Sequence, residues 1–148
     1  MSTKKDKFTK KDSFFMNLAF NLARDRSGLT GENPSVGCVI TKNNEIISIG
    51  QTGLKGRPHA EFNAIKSCKK NLKGSTLYVS LEPCAHYGKT PPCSSLIIKS
   101  KIKKVIFSII DADKRTRAKS IKLFKFNNIT VKKGLLENLP DLIRPFYQ

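Results

Sequence analysis

Short apolar runs of strand length alternate with segments of helical period along most of this chain. That alternation narrows the fold before any single residue is considered. Asp12–Arg26 sets Phe15, Leu18, Ala19, Leu22 and Ala23 at the i, i+3, i+4, i+7, i+8 spacing of a helix with one buried face. Strands are expected over Val36–Thr41 and Glu45–Gly50, and Asn43-Asn44 between them offers the tight turn of an antiparallel hairpin. A Gly-rich loop, Gly50–Pro58, then leads into a helix from about His59 to Lys70. Next come a strand over Thr76–Leu81, a loop over Glu82–Pro92 and a helix over Cys93–Ser100. A strand over Val105–Ile110, a helix over Arg117–Phe126, a short strand over Ile129–Lys132 and a helix over Leu135–Ile143 complete the pattern. Strands joined through helices run parallel, and the hairpin adds an antiparallel pair, so the expectation is an α/β sandwich around a mixed sheet. Ligands bind such sheets beyond the carboxyl ends of the strands, where the loops after Leu81 and Ile110 begin.

At 148 residues the chain has the size of one domain, and no repeat or internal linker divides it. Residues 1–11 read as a basic extension and residues 12–148 as the domain. The most apolar run, Val105–Ile110, is bounded by Lys104 and Asp111 and falls far short of a membrane span. The apolar stretch Phe14–Phe20 contains Asn17 and is soon followed by Arg24-Asp25-Arg26, which suits a helix better than a secretory signal. A cytoplasmic protein is expected. The formal charge of +17 raises the question of nucleic-acid binding. However, 22 of the 28 basic residues are Lys, while Arg, the usual reader of phosphates and base edges, occurs six times. Aromatic and basic residues interleave only over Lys122–Phe126, too short for a stacking platform. The charge is read as mainly compositional, with a part in attracting anionic small substrates.

Four cysteines in a cytoplasmic chain argue for thiolate chemistry or simple burial rather than disulfides. Cys38, in an apolar strand, and Cys68, late in a helical pattern, are expected to pack as small core residues. Cys84 and Cys93 stand in a polar, proline-rich loop where no core needs them. Pro58-His59-Ala60-Glu61 opens a helix, and Pro58 favours a start that leaves His59 in the entry turn, where it can converge with Glu61. One imidazole and the two thiolates of Cys84 and Cys93 make a complete protein ligand set for a catalytic zinc, with the fourth tetrahedral position left for water. Each residue alone has a plain reading: a core Cys, a common His-x-Glu, a solvated carboxylate. Their order, each at a helix entrance, points to the metal.

These residues resemble the cytidine deaminase superfamily of zinc nucleoside and nucleobase deaminases. More narrowly, Asn33–Ile40, Gly56–Glu61 and Leu81–Cys93 resemble the deaminase domain of the bifunctional deaminase/reductase of riboflavin biosynthesis. The eight residues between Cys84 and Cys93 are the most specific part of the likeness, since nucleoside, dCMP and tRNA-adenosine deaminases typically separate the two cysteines by two. The resemblance implies a cytidine deaminase-like three-layer α/β/α sandwich with a mixed five-stranded sheet, spanning nearly the whole chain. It implies hydrolytic deamination of 2,5-diamino-6-(5-phosphoribosylamino)pyrimidin-4(3H)-one, with Zn2+ as cofactor on His59, Cys84 and Cys93. Glu61 would shuttle the proton from the zinc-activated water to the ring nitrogen and the leaving amine. Substrate contacts would come from Asn33 at the pyrimidine edge, His86 and Lys89 in the inserted loop, and Asp111 at the ribose. Lys89 can meet the phosphate as a point charge.

Two positions depart from the family pattern: Thr52 stands where many members carry His, and Asp111-Ala112-Asp113 where Asp-Pro-Asn is frequent. They bear on fine substrate contacts rather than on the zinc chemistry. The chain has no Gly-x-Gly-x-x-Gly loop for a dinucleotide, so a stand-alone deaminase is expected, self-associating and passing its product to a separate reductase. A tRNA or nucleobase deaminase and a non-enzymatic zinc protein are the alternatives. The long Cys84–Cys93 loop and the scarcity of Arg oppose the first. Glu61 and the open fourth ligand position oppose the second.

Overall fold

A computed structural model describes residues 6–85, 91–110 and 118–136. In chain order the elements are α1 (Lys10–Asp25), β1 (Gly37–Lys42), β2 (Glu45–Gln51), α2 (Ala60–Ser67), β3 (Thr76–Leu81), α3 (Cys93–Lys99), β4 (Lys104–Ile109), α4 (Lys119–Phe126) and β5 (Thr130–Lys133). A 3-10 turn over Leu54–Gly56 precedes α2. The five strands form one sheet in the order β2-β1-β3-β4-β5. β1 pairs antiparallel with both β2 and β3, whereas β3–β4 and β4–β5 are parallel, so the sheet is mixed as expected.

Strand alternation decides which helix covers which face. Cys38, Ile40, Leu77, Val79, Val105 and Phe107 point to one side and are buried with Ala60 and Ala64 of α2, Ile97 of α3 and Phe124 of α4. Their neighbours Val39, Tyr78 and Ile106 point to the other side, onto Phe15, Met16, Ala19 and Phe20 of α1. Two apolar layers flank one sheet, which is the three-layer α/β/α arrangement. The runs in β3 and β4 are nearly continuous because both of their faces are covered.

Glycine sets how closely two helices approach. A Cβ on Gly37 would lie 1.8 Å from the Ala19 carbonyl oxygen, and one on Gly50 would lie 2.3 Å from that of Ala60. α1 and α2 therefore rest directly on the hairpin backbone, and any side chain at either position would push a helix off the sheet.

Several boundaries differ from the sequence reading. α1 starts two residues earlier, at a capping box in which the Thr9 hydroxyl accepts the Asp12 N–H and the Asp12 carboxylate accepts the Thr9 N–H. Its buried stripe turns towards Met16 and Phe20, leaving Leu18 and Leu22 half-buried. α2 ends at Ser67, because Cys68 is extended and the lysines after it offer no apolar side chain to bury. Cys68 is consequently half-exposed at the helix end rather than a core residue, whereas Cys38 is fully buried. Of the expected helix over Leu135–Ile143, Leu135 and Leu136 lie in a turn and the rest is outside the described residues. Within Lys122–Phe126, Phe124 is in the core, so only Phe126, 86% exposed, offers a ring beside the lysines. Among the described residues, no helix is long and apolar enough to cross a membrane.

Candidate metal centre

β1 runs antiparallel to β3, so its amino end and the carboxyl ends of β3 and β4 share one edge of the sheet. The loops before β1, before α2 and after β3 all emerge at that edge. Arg57 is extended ahead of a cis Pro58, and His59 is the N-cap of α2, with β-region dihedrals and no side-chain hydrogen bond to its own helix. The imidazole lies instead against the second loop. Its Nδ1 is 3.8 Å from Cys84 Sγ and 3.5 Å from Cys93 Sγ, and the three donor atoms all fall within 4.8 Å of one another.

Cys93 is the first residue of α3, and its N–H donates to Cys84 Sγ at 3.1 Å. The Ser94 N–H donates to the Cys84 carbonyl at 3.1 Å, so the start of α3 grips Cys84 at two atoms. These contacts also divide the protons between the thiols. A hydrogen bond from the Cys93 thiol, backed by His59 and the Cys93 N–H, brings the Cys84 pKa down to about 4 against the opposing effect of burial. The Cys93 thiol is pushed up by the same pairing with Cys84, then by burial and the Glu61 charge. The hydrogen bond to Cys84 also raises the His59 pKa.

The donor set fits zinc. Tetrahedral zinc with a Zn–N bond of about 2.0 Å and a Zn–S bond of about 2.3 Å requires N···S separations of about 3.5 Å, and the observed 3.5 and 3.8 Å lie at and just above that value. Three protein ligands leave one tetrahedral position open, the pattern of a catalytic rather than a structural site.

Glu61 lies in the first turn of α2 and is 4% exposed. Its charge contributes to the raised pKa of His59, Cys93 and Cys38, which places the carboxylate beside the cluster. Asn33 precedes β1 at the same edge, and its side-chain amide donates to the Gly56 carbonyl at 3.1 Å, tying it to the loop that delivers His59. The positive φ of Gly56, +96°, suits glycine alone, and a Cβ there would meet the Asn33 amide at 2.7 Å. Thr52 is buried, and its hydroxyl pairs with the N–H and carbonyl of Val36, so it serves the hairpin. His86, Lys89 and Asp111 lie outside the described residues.

A cavity of about 340 Å³ opens between α2 and α3, with His59, Cys93, Arg57, Phe62, Lys66 and Leu96 in its wall. Glu61 and Asn33 do not line it, so it meets the cluster from the helix side. One buried group escaped the sequence reading: Glu82, 2% exposed, at the end of β3. The available signal was a carboxylate directly after the mostly apolar strand Thr76–Leu81.

Residues 9–109 match the family described as the cytidine and deoxycytidylate deaminase zinc-binding region. The chain is 43% identical over 126 residues to diaminohydroxyphosphoribosylamino-pyrimidine deaminase of Buchnera aphidicola from Schizaphis graminum, covering 85% of this chain and 86% of that one. Among solved structures, RibD of Acinetobacter baumannii superposes with a TM-score of 0.87 at 38% identity, covering 93% of this chain and 39% of that one. The diaminohydroxyphosphoribosylaminopyrimidine deaminase/5-amino-6-(5-phosphoribosylamino)uracil reductase of Thermotoga maritima gives 0.82 at 39%, covering 92% and 40%. The chain thus spans most of the Buchnera relative and about two-fifths of the two structural relatives.

Proposed function

This chain belongs to the diaminohydroxyphosphoribosylaminopyrimidine deaminases, within the cytidine and deoxycytidylate deaminase zinc-binding family, and we propose that it acts in riboflavin biosynthesis. The reaction is hydrolysis of 2,5-diamino-6-(5-phosphoribosylamino)pyrimidin-4(3H)-one to 5-amino-6-(5-phosphoribosylamino)uracil and ammonia. The observation that carries this reading is a buried carboxylate, Glu61, in the first turn of the helix whose cap, His59, stands with two thiols at zinc-ligand spacing.

His59, Cys84 and Cys93 would hold the metal. When bound, zinc supplies the Lewis acidity that makes water a nucleophile near neutral pH. Glu61 accepts a proton on a carboxylate oxygen, returns it to the ring nitrogen beside the amino-bearing carbon, and serves the leaving amine in the same way. At 4% exposure it is shielded from bulk water, so the proton stays in the site between transfers. Asn33, its plane set by the bond to Gly56, takes the polar edge of the pyrimidine. We assign His86 and Lys89 to the substrate, with Lys89 at the phosphate, and Asp111 to the ribose hydroxyls. The product is the substrate of a reductase of the kind named for the Thermotoga relative.

Ammonia release from the pyrimidine ribosylamino phosphate, run beside cytidine and tRNA, tests the assignment. Turnover of the first alone is expected, and turnover of tRNA alone overturns it. Lys89→Ala should raise KM for the phosphorylated substrate by up to ~100-fold, the loss of a charge-assisted contact worth roughly 1.5–3 kcal/mol. An unchanged KM, or equal use of the dephosphorylated compound, removes Lys89 from the phosphate site.

A further inference from the structure

We propose that Glu82 is a positioning residue that holds both ends of the β4–α4 connection beside the metal loop; its substrate readout rests on the deaminase reading above. A carboxylate at 2% exposure is costly unless its oxygens are satisfied, and here each one finds a donor. Oε1 accepts the Ala118 N–H at 2.9 Å, and Oε2 accepts the Ser120 hydroxyl at 2.5 Å. Both donors belong to the start of α4, where the N-cap, Ala118, has a left-handed backbone and no side-chain cap of its own. The cap comes instead from a strand end 36 residues earlier, and its negative charge suits a helix amino terminus.

The same residue also grips the other end of the connection. Its N–H donates to the Ile109 carbonyl at 2.8 Å, at the last residue of β4. One residue therefore holds the chain where it leaves β4 and where it enters α4. Two positions further on stands Cys84, itself fixed by the Cys93 and Ser94 amides. A residue serving only as a helix cap would be as effective at position 118. Placed at 82, the carboxylate ties the start of α4 to the strand end that leads into the metal loop.

The test uses the full zinc-loaded chain and its Glu82→Ala, Glu82→Gln and Ser120→Ala variants. Glu82→Ala should raise KM for the ribosylamino phosphate about tenfold or more, with kcat changed less than about threefold and zinc retained. Glu82→Gln keeps an acceptor oxygen and should recover most of the KM, and Ser120→Ala should show a smaller rise. Amide hydrogen exchange gives a readout independent of turnover: in Glu82→Ala the Ala118 amide should exchange faster, with α2 and α3 unchanged. A lowered melting temperature with KM and Ala118 exchange unchanged overturns the proposal. Should Glu82→Ala not fold, unaltered KM and exchange in both Glu82→Gln and Ser120→Ala overturn it as well. If the native chain does not turn over this substrate, the deaminase reading fails, and the exchange result still decides the tether.

Discussion

Replacing Glu61 with Gln lowers kcat by about 10²–10⁴-fold while the zinc stays in place. The two side chains have nearly the same shape, so a residue buried to 4% exposure can be exchanged without opening a cavity. The amide differs in one respect that matters: it cannot take up a proton at neutral pH. Metal retention follows from the donor set, because the three ligand atoms that lie within 4.8 Å of one another belong to His59, Cys84 and Cys93 and are untouched by the change. Zinc content measured beside ammonia release separates the two effects. Near-native turnover in Glu61→Gln would show that the proton travels by another group.

The fold was legible where pattern and burial agree. Thr76–Leu81 is a strand to the residue, because a mostly apolar run between the Gly74-Ser75 turn and Glu82 fits a strand covered on both faces. Boundaries were less legible where polar side chains decide them. Lys10 and Lys11 carry no apolar signal, yet the Thr9–Asp12 box starts α1 before them. Cys68 reads as the end of a core stripe, but its backbone is extended and the exposed Lys69 and Lys70 that follow do not continue the helix. In the site, the meeting of His59, Cys84 and Cys93 could be read because each sits at an element boundary that the sequence marks with proline. Glu82 could not be read in the same way. Its partners are an amide and a hydroxyl 36 and 38 residues away, and neither residue type advertises a carboxylate partner.

Serine in place of Cys84 or Cys93 should empty the site and abolish turnover together. A serine hydroxyl stays protonated at neutral pH and is a poor zinc ligand, so the variant keeps two good donors, too few for a stable catalytic site. The hydrogen bond from Cys93 N–H to position 84 can survive in Cys84→Ser, which makes loss of the metal, rather than of the loop, the dominant effect. Stability should follow occupancy. Zinc at a thousand times its dissociation constant adds about 4 kcal/mol to the folded state, and for a chain of this size that corresponds to about 8–16 °C in Tm. Chelator treatment of the native protein should therefore lower Tm by a similar amount and should leave the Cys84→Ser and Cys93→Ser proteins unmoved. Cys68→Ser is the control. Cys68 is half-exposed at the end of α2, where its sulfur donates to the Ile47 and Lys70 carbonyls at 3.7 and 3.4 Å, bonds that a serine hydroxyl can replace, so zinc, turnover and Tm should all persist. Elemental analysis, calorimetry and ammonia release on the same preparations decide the matter. A Cys93→Ser protein that still carries about one zinc per chain and turns over would remove Cys93 from the ligand set.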